Sequence, residues 1–69
     1  MKSTELTNNN RIDNVEVTKV SSGLNLYFEL DGVPTTVTGE FHIDNKNILH
    51  HTAIDAEGNE IEVLVKLEF

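Results

Sequence analysis

Apolar residues recur at every second position over long stretches of this chain, the period expected of β-strands with one buried face. Ile61 to Phe69 shows it best. Ile61, Val63, Val65, Leu67 and Phe69 share one side, and the other side is charged except at Leu64. Leu24 to Asp31 alternates as cleanly, with Leu24, Leu26, Phe28 and Leu30 inward and Asn25, Tyr27, Glu29 and Asp31 outward. Asp31-Gly32 follows directly and is a strong type I′ hairpin signal, because both central residues of that turn need positive φ. It sets Leu30 opposite Val33, Phe28 opposite Thr35 and Leu26 opposite Val37. Pro34 has no N–H to give a ladder, so its nitrogen belongs at a non-bonded position. Gly39 on the apolar face permits a sharp coil beside Phe41.

The C-terminal half reads as three strands. A two-residue turn at Glu57-Gly58 pairs Ile54 with Ile61, Thr52 with Val63, His50 with Val65 and Ile48 with Leu67. The loop Asp44-Asn45-Lys46-Asn47 sets Ile43 opposite Ile48 and Phe41 opposite His50. Both registers keep the same face apolar. A further strand, Ile12 to Val20, meets Leu24–Leu30 through a turn at Ser21-Ser22 that pairs Val20 with Gly23 and Val17 with Leu26. Ile12 and Val20 are out of phase with Val15 and Val17, which a β-bulge would repair. Residues 1–10, rich in Ser, Thr and Asn, are expected as a flexible tail, with a short strand over Ser3–Leu6 as the alternative; residues 11–69 then form one β domain.

The expected fold is all-β: a five-stranded antiparallel meander, strongly bent into a partly open barrel or sandwich-like sheet. A single sheet must bury its apolar face by curling, by dimerising or by accepting a partner. Leu24, Leu26, Phe28, Leu30, Val37, Phe41, Ile43, Ile48, Ile54, Ile61, Val63, Val65 and Leu67 would share that face, more apolar area than a soluble monomer usually exposes. A homodimer pairing the Ile61–Phe69 edges would complete it and satisfy an unpaired ladder.

Composition narrows the function classes. Twelve acidic against five basic residues give a net charge of −7 in 69 residues, a field that repels nucleic acid and anionic membranes and suits a basic protein partner. Cysteine is absent, which removes disulfides and thiolate metal sites. Met1–Arg11 carries no apolar core of signal-peptide length and no run approaches a membrane span, so a cytoplasmic protein is the expectation.

Candidate chemistry is sparse. In the inferred register His42, His51 and Glu40 gather on the outer face, where two imidazoles and a carboxylate could ligate zinc. His50 would stand on the apolar face. No phosphate loop, no Gly-x-Ser-x-Gly turn and no nucleophile beside a base is present, so no enzyme activity and no cofactor are expected. Tyr27, Leu49 and Leu64 interrupt otherwise polar outer faces and are the candidate binding residues. The reading is a small acidic, non-enzymatic binding or inhibitor module for a protein partner, a character that also suits a phage- or mobile-element-encoded inhibitor. The alternative is a metal- or small-ligand-binding β domain using the His42/His51 face.

Overall fold

The computed structural model describes residues 1–69 and contains strands and turns but no helix. Seven strands run in chain order: β1 (Lys2–Glu5), β2 (Ile12–Val20), β3 (Gly23–Leu30), β4 (Val33–Val37), β5 (His42–Ile43), β6 (Ile48–Ile54) and β7 (Glu60–Glu68). They form two antiparallel sheets, a three-stranded one ordered β2-β3-β4 and a four-stranded one ordered β1-β7-β6-β5. The all-β, antiparallel character is as expected, but the single five-stranded sheet bent into a partly open barrel or sandwich-like form is corrected to seven strands in two sheets that do not close.

The three-stranded sheet follows the alternation closely. Leu26 pairs with Val37, Phe28 with Thr35 and Leu30 with Val33, across a turn in which Asp31 and Gly32 both have positive φ. Val17 pairs with Leu26 and Val20 with Gly23, and the ladder slips between Asp13 and Glu16. Asn14 takes φ 51° there, and the extra residue lets Ile12 and Val17 both turn inward.

The continuous strand expected over Val33–Ile43 is broken. β4 stops at Val37, and Thr38–Phe41 carries the chain across to the other sheet before β5 begins. Gly39 sits within this corner. The inward faces of both sheets then close on one core of Ile12, Val17, Leu26, Phe28, Val37, Leu49, Ala53, Ile61, Val63, Val65 and Leu67, with Val15, Leu24, Leu30 and Phe41 packed around it.

In the four-stranded sheet the expected registers are off by one residue. Ala53 faces Ile61, His51 faces Val63 and Leu49 faces Val65, while Ile43 faces Leu49. Because side chains alternate, one step turns β6 over. Leu49, His51 and Ala53 are buried, Ile48 and His50 are half-buried, and Ile43 and Ile54 are exposed. The cause lies in the loops. Asp44 N–H donates to Ile48 O (3.0 Å) and Asn47 N–H to Asp44 O (3.1 Å). Asp55 repeats the pattern: its N–H donates to Asn59 O (3.0 Å) and its carbonyl accepts from Gly58 N–H (3.1 Å). In each loop the first aspartate's Oδ1 also accepts two backbone N–H groups, from Lys46 and Ile48 at 2.8 and 3.0 Å and from Glu57 and Asn59 at 2.9 and 2.8 Å. The fourth residue, Asn47 or Gly58, has φ 60° or 85°. Both loops are therefore three-residue turns closed by a left-handed residue, not the two- and four-residue connections inferred from the sequence.

Residues 1–10, expected as a flexible tail, include β1, which pairs with Val65–Glu68 of β7. Beyond it, Leu6 N–H donates to Leu64 O (2.9 Å), and the Thr7 hydroxyl accepts from Leu64 N–H (2.8 Å). β7 therefore has neighbours on both sides. The edge proposed for dimer pairing through Ile61–Phe69 is largely covered, and Phe69 itself is exposed.

Candidate functional site

The residues singled out from the sequence do not converge. His51 is buried under Phe28, ring centroids 5.7 Å apart, and its Nδ1 donates to the Glu40 carbonyl at 2.6 Å. Since a carbonyl can only accept, that nitrogen carries the proton, and the bond ties β6 to the corner between the sheets. His42 lies on the opposite face. Its ring stacks on His50, centroids 4.6 Å apart and planes 3° from parallel. His50 Nε2 in turn meets Asp44 Oδ2 at 2.9 Å. The inferred His42/His51/Glu40 zinc set is thus corrected by the turned-over β6, and no group of three His, Asp or Glu side chains is arranged to hold a metal.

The binding candidates separate in the same way. Leu49 is fully buried, so it supplies no surface contact. Leu64 is half-buried on the outer face of the four-stranded sheet, opposite His50, while Tyr27 belongs to the three-stranded sheet. The Tyr27 hydroxyl donates to Glu29 Oε2 at 3.0 Å, and that bond, with burial behind it, raises its pKa.

What the fold does create is a groove between β4 and β6. Two adjoining cavities of about 280 Å³ each share Leu30, Thr35 and Ile54. The first has Phe28, Val37 and Ala53 in its lining, with Glu40 and His51 at the corner end. The second runs on past Val33 to Asp31 and Asp55. Val33 and Ile54, 61% and 58% exposed, lie on either side. The groove exists because β5 pairs with β6 only at Leu49 and His50, leaving Thr52–Ile54, which pairs with β7 on one side, without a strand on the other.

Both ends of the groove are tied. At one end the chain itself crosses at Thr38–Phe41. At the other, Arg11 grips both sheets: its Nε and Nη2 donate to Asp31 Oδ1 and Oδ2 at 2.8 and 2.6 Å, and Nη2 reaches Asp55 Oδ2 at 3.1 Å. The Arg11 bonds hold the Asp31 carboxyl below its usual range, and the two carboxylates raise the guanidinium pKa. The Asp55 side chain is 4% exposed. The backbone N–H and side-chain amide of Asn59, then Arg11 and Glu57, lower its pKa to about 2. Asp44 is also lowered to about 2, first by His50 and then by the Ile48 and Lys46 amides. No buried side-chain polar atom lacks a partner.

Sequence reasoning missed Arg11, Asp55 and the Thr52–Ile54 edge. A signal for the loops was present: Asp44 and Asp55 each stand three residues before a residue that tolerates positive φ, Asn47 and Gly58. Comparison with protein-family models, with curated proteins and with solved structures found no match.

Proposed function

We propose that the chain is a non-enzymatic protein-binding module that accepts an extended segment of a partner protein in the groove between β4 and β6. The observation carrying this is the open edge of Thr52–Ile54 beside a groove of mixed apolar and polar lining, with Val33 and Ile54 exposed on its flanks. Strand addition to an open sheet edge draws affinity from main-chain hydrogen bonds and specificity from pockets that take alternate side chains. The partnered groups at the two ends of the groove support binding over chemistry: Asp31 and Asp55 are engaged with Arg11, and His51 Nδ1 with the Glu40 carbonyl. A module that captures a segment its partner needs acts as an inhibitor of that partner.

The test compares what the wild-type chain retains from its native lysate with what two variants retain. The first variant combines Val33→Lys and Ile54→Lys at exposed positions; the second is Tyr27→Lys on the outer face of the three-stranded sheet. A partner kept by wild type and Tyr27→Lys but lost by the double variant, with both variants melting cooperatively, supports the groove. A partner lost only by Tyr27→Lys places binding on the other surface and overturns the reading.

A further inference from the structure

We infer that the occupant of the groove is a short basic segment, alternating Lys or Arg with apolar residues, which pairs with Thr52 and Ile54 along the line that β5 vacates. The inference rests on the protein-binding reading above and specifies the chemistry of the partner.

The choice of β6 over β4 follows from counting ladder bonds. Antiparallel partners alternate between bonded and non-bonded pairs. Counting from the Asp55 N–H bond to Asn59 O, the main-chain groups of Ala53, His51 and Leu49 point toward β7, and those of Thr52 and Ile54 point away from it. Thr52 and Ile54 therefore offer a donor and an acceptor each on the open side. On β4, counting from the Asp31-Gly32 turn, the outward positions are Pro34 and Thr36. Pro34 has no N–H, so that edge lacks one of its donors. A guest strand gains more from β6.

The side-chain pattern follows from the same register. A guest residue opposite Ala53 points inward, toward Phe28 and Val37 in the cavity wall, and the small side chain of Ala53 leaves room for it. That position asks for an apolar residue. Its two neighbours, opposite Thr52 and Ile54, stand on the outer face. Across β6 from them, Thr52 pairs with Glu62 and Ile54 with Glu60, both exposed and neither in an ion pair. A lysine or arginine stem is long enough to cross Thr52 toward these carboxylates, and Glu40 adds a third at the corner end. No Lys or Arg lines either cavity. The net charge of −7 draws a basic segment and repels a second copy of the chain.

The experiment is a titration of the isotope-labelled chain, read from backbone amide NMR shifts and amide exchange, with the probe acetyl-Lys-Val-Lys-Val-Lys-amide. The matched control is acetyl-Glu-Val-Glu-Val-Glu-amide. The expected result is saturable shifts at Thr52, Ala53 and Ile54 with slowed exchange of the Thr52 and Ile54 amides, and no response to the glutamate peptide. Thr52→Pro removes an outward N–H without touching the β6–β7 ladder and should abolish the response. Glu60→Gln with Glu62→Gln, both on the solvent face, should weaken binding a few-fold to about tenfold while the fold is kept, as loss of two exposed ion pairs implies. Shifts centred on Thr36, equal responses to the two peptides, no response to either, or perturbation of the same amides by raising the chain's own concentration would each overturn the inference. None of these depends on the lysate comparison, so a groove that binds some other segment is told apart from a groove that binds nothing.

Discussion

The two sheets hold their registers by different means. In the three-stranded sheet, β3 has one strongly apolar face, Leu24, Leu26, Phe28 and Leu30, against Asn25, Tyr27 and Glu29. A one-residue slip there would turn Leu26 and Phe28 out of the core, and the Asp31-Gly32 turn, with positive φ at both residues, asks for the same pairing. In the four-stranded sheet, β6 is divided. Ile48 and Ile54 lie on one face and Leu49 and Ala53 on the other, with a histidine on each. Burial hardly distinguishes the two registers of β6 taken alone. The Asp44 and Asp55 loops decide it, since each aspartate gathers two loop amides and leaves a residue with positive φ in the fourth place. A strand with a weak pattern thus takes its orientation from the chemistry of its turns, while in a strand with a strong pattern burial and turn point the same way.

The largest effect that could break this comparison lies within β6 itself. Leu49→Ala should cost about 2–5 kcal/mol, the range for truncating a fully buried leucine, whereas Ile48→Ala should cost roughly 1 kcal/mol because its side chain is only half-buried. Urea unfolding of the two variants measures the difference. An Ile48 loss exceeding the Leu49 loss would turn β6 back over and remove the loops from their deciding role.

Acid unfolding comes next. The Asp44 and Asp55 carboxyls both fall from the ordinary 3.8 to about 2 in the folded chain. A depressed carboxylate stabilises the fold fully above its unfolded pKa, and that contribution is lost as pH falls through the folded value. The melting temperature should therefore hold at neutral pH and drop between about pH 4 and pH 2. Asp55→Asn and Asp44→Asn should each flatten that drop. The Asp55 variant should have the greater effect at neutral pH, because its side chain is nearly buried and it also anchors Arg11. A scan in which neither variant alters the acid limb would show that the loops do not rely on these carboxylates.

The smallest effect separates the two loops. Gly58→Ala puts a Cβ at φ 85°, where no neighbouring atom obstructs it, so only the backbone penalty of about 1 kcal/mol applies. Asn47→Gly works in the opposite sense at φ 60° and should leave stability unchanged or raise it by a few tenths of a kcal/mol. Matched thermal melts check both, and a destabilised Asn47→Gly would mean that the asparagine side chain does more than tolerate its backbone.

The sequence by itself determined the all-β class, the hairpin at Asp31-Gly32, the need for a bulge somewhere in Ile12–Val20 and the inward faces of β3 and β7. Each follows from a local rule: a period of two, a turn that needs positive φ, or an apolar residue out of phase. Tertiary structure decided the rest. Whether β6 shows Leu49 or Ile48 to the core depended on hydrogen bonds inside two loops. The division into two sheets depended on the corner at Thr38–Phe41, where β4 gives way to β5. The role of Arg11 depended on bringing Asp31 and Asp55 together from opposite sheets, across 20 and 44 residues of chain. Alternation along a strand reports which residues share a face, but not which face meets the core when both are partly apolar, nor where a strand stops being paired. The groove, a gap left where β5 ends too soon, is a property of pairing between strands and has no signature in any one of them.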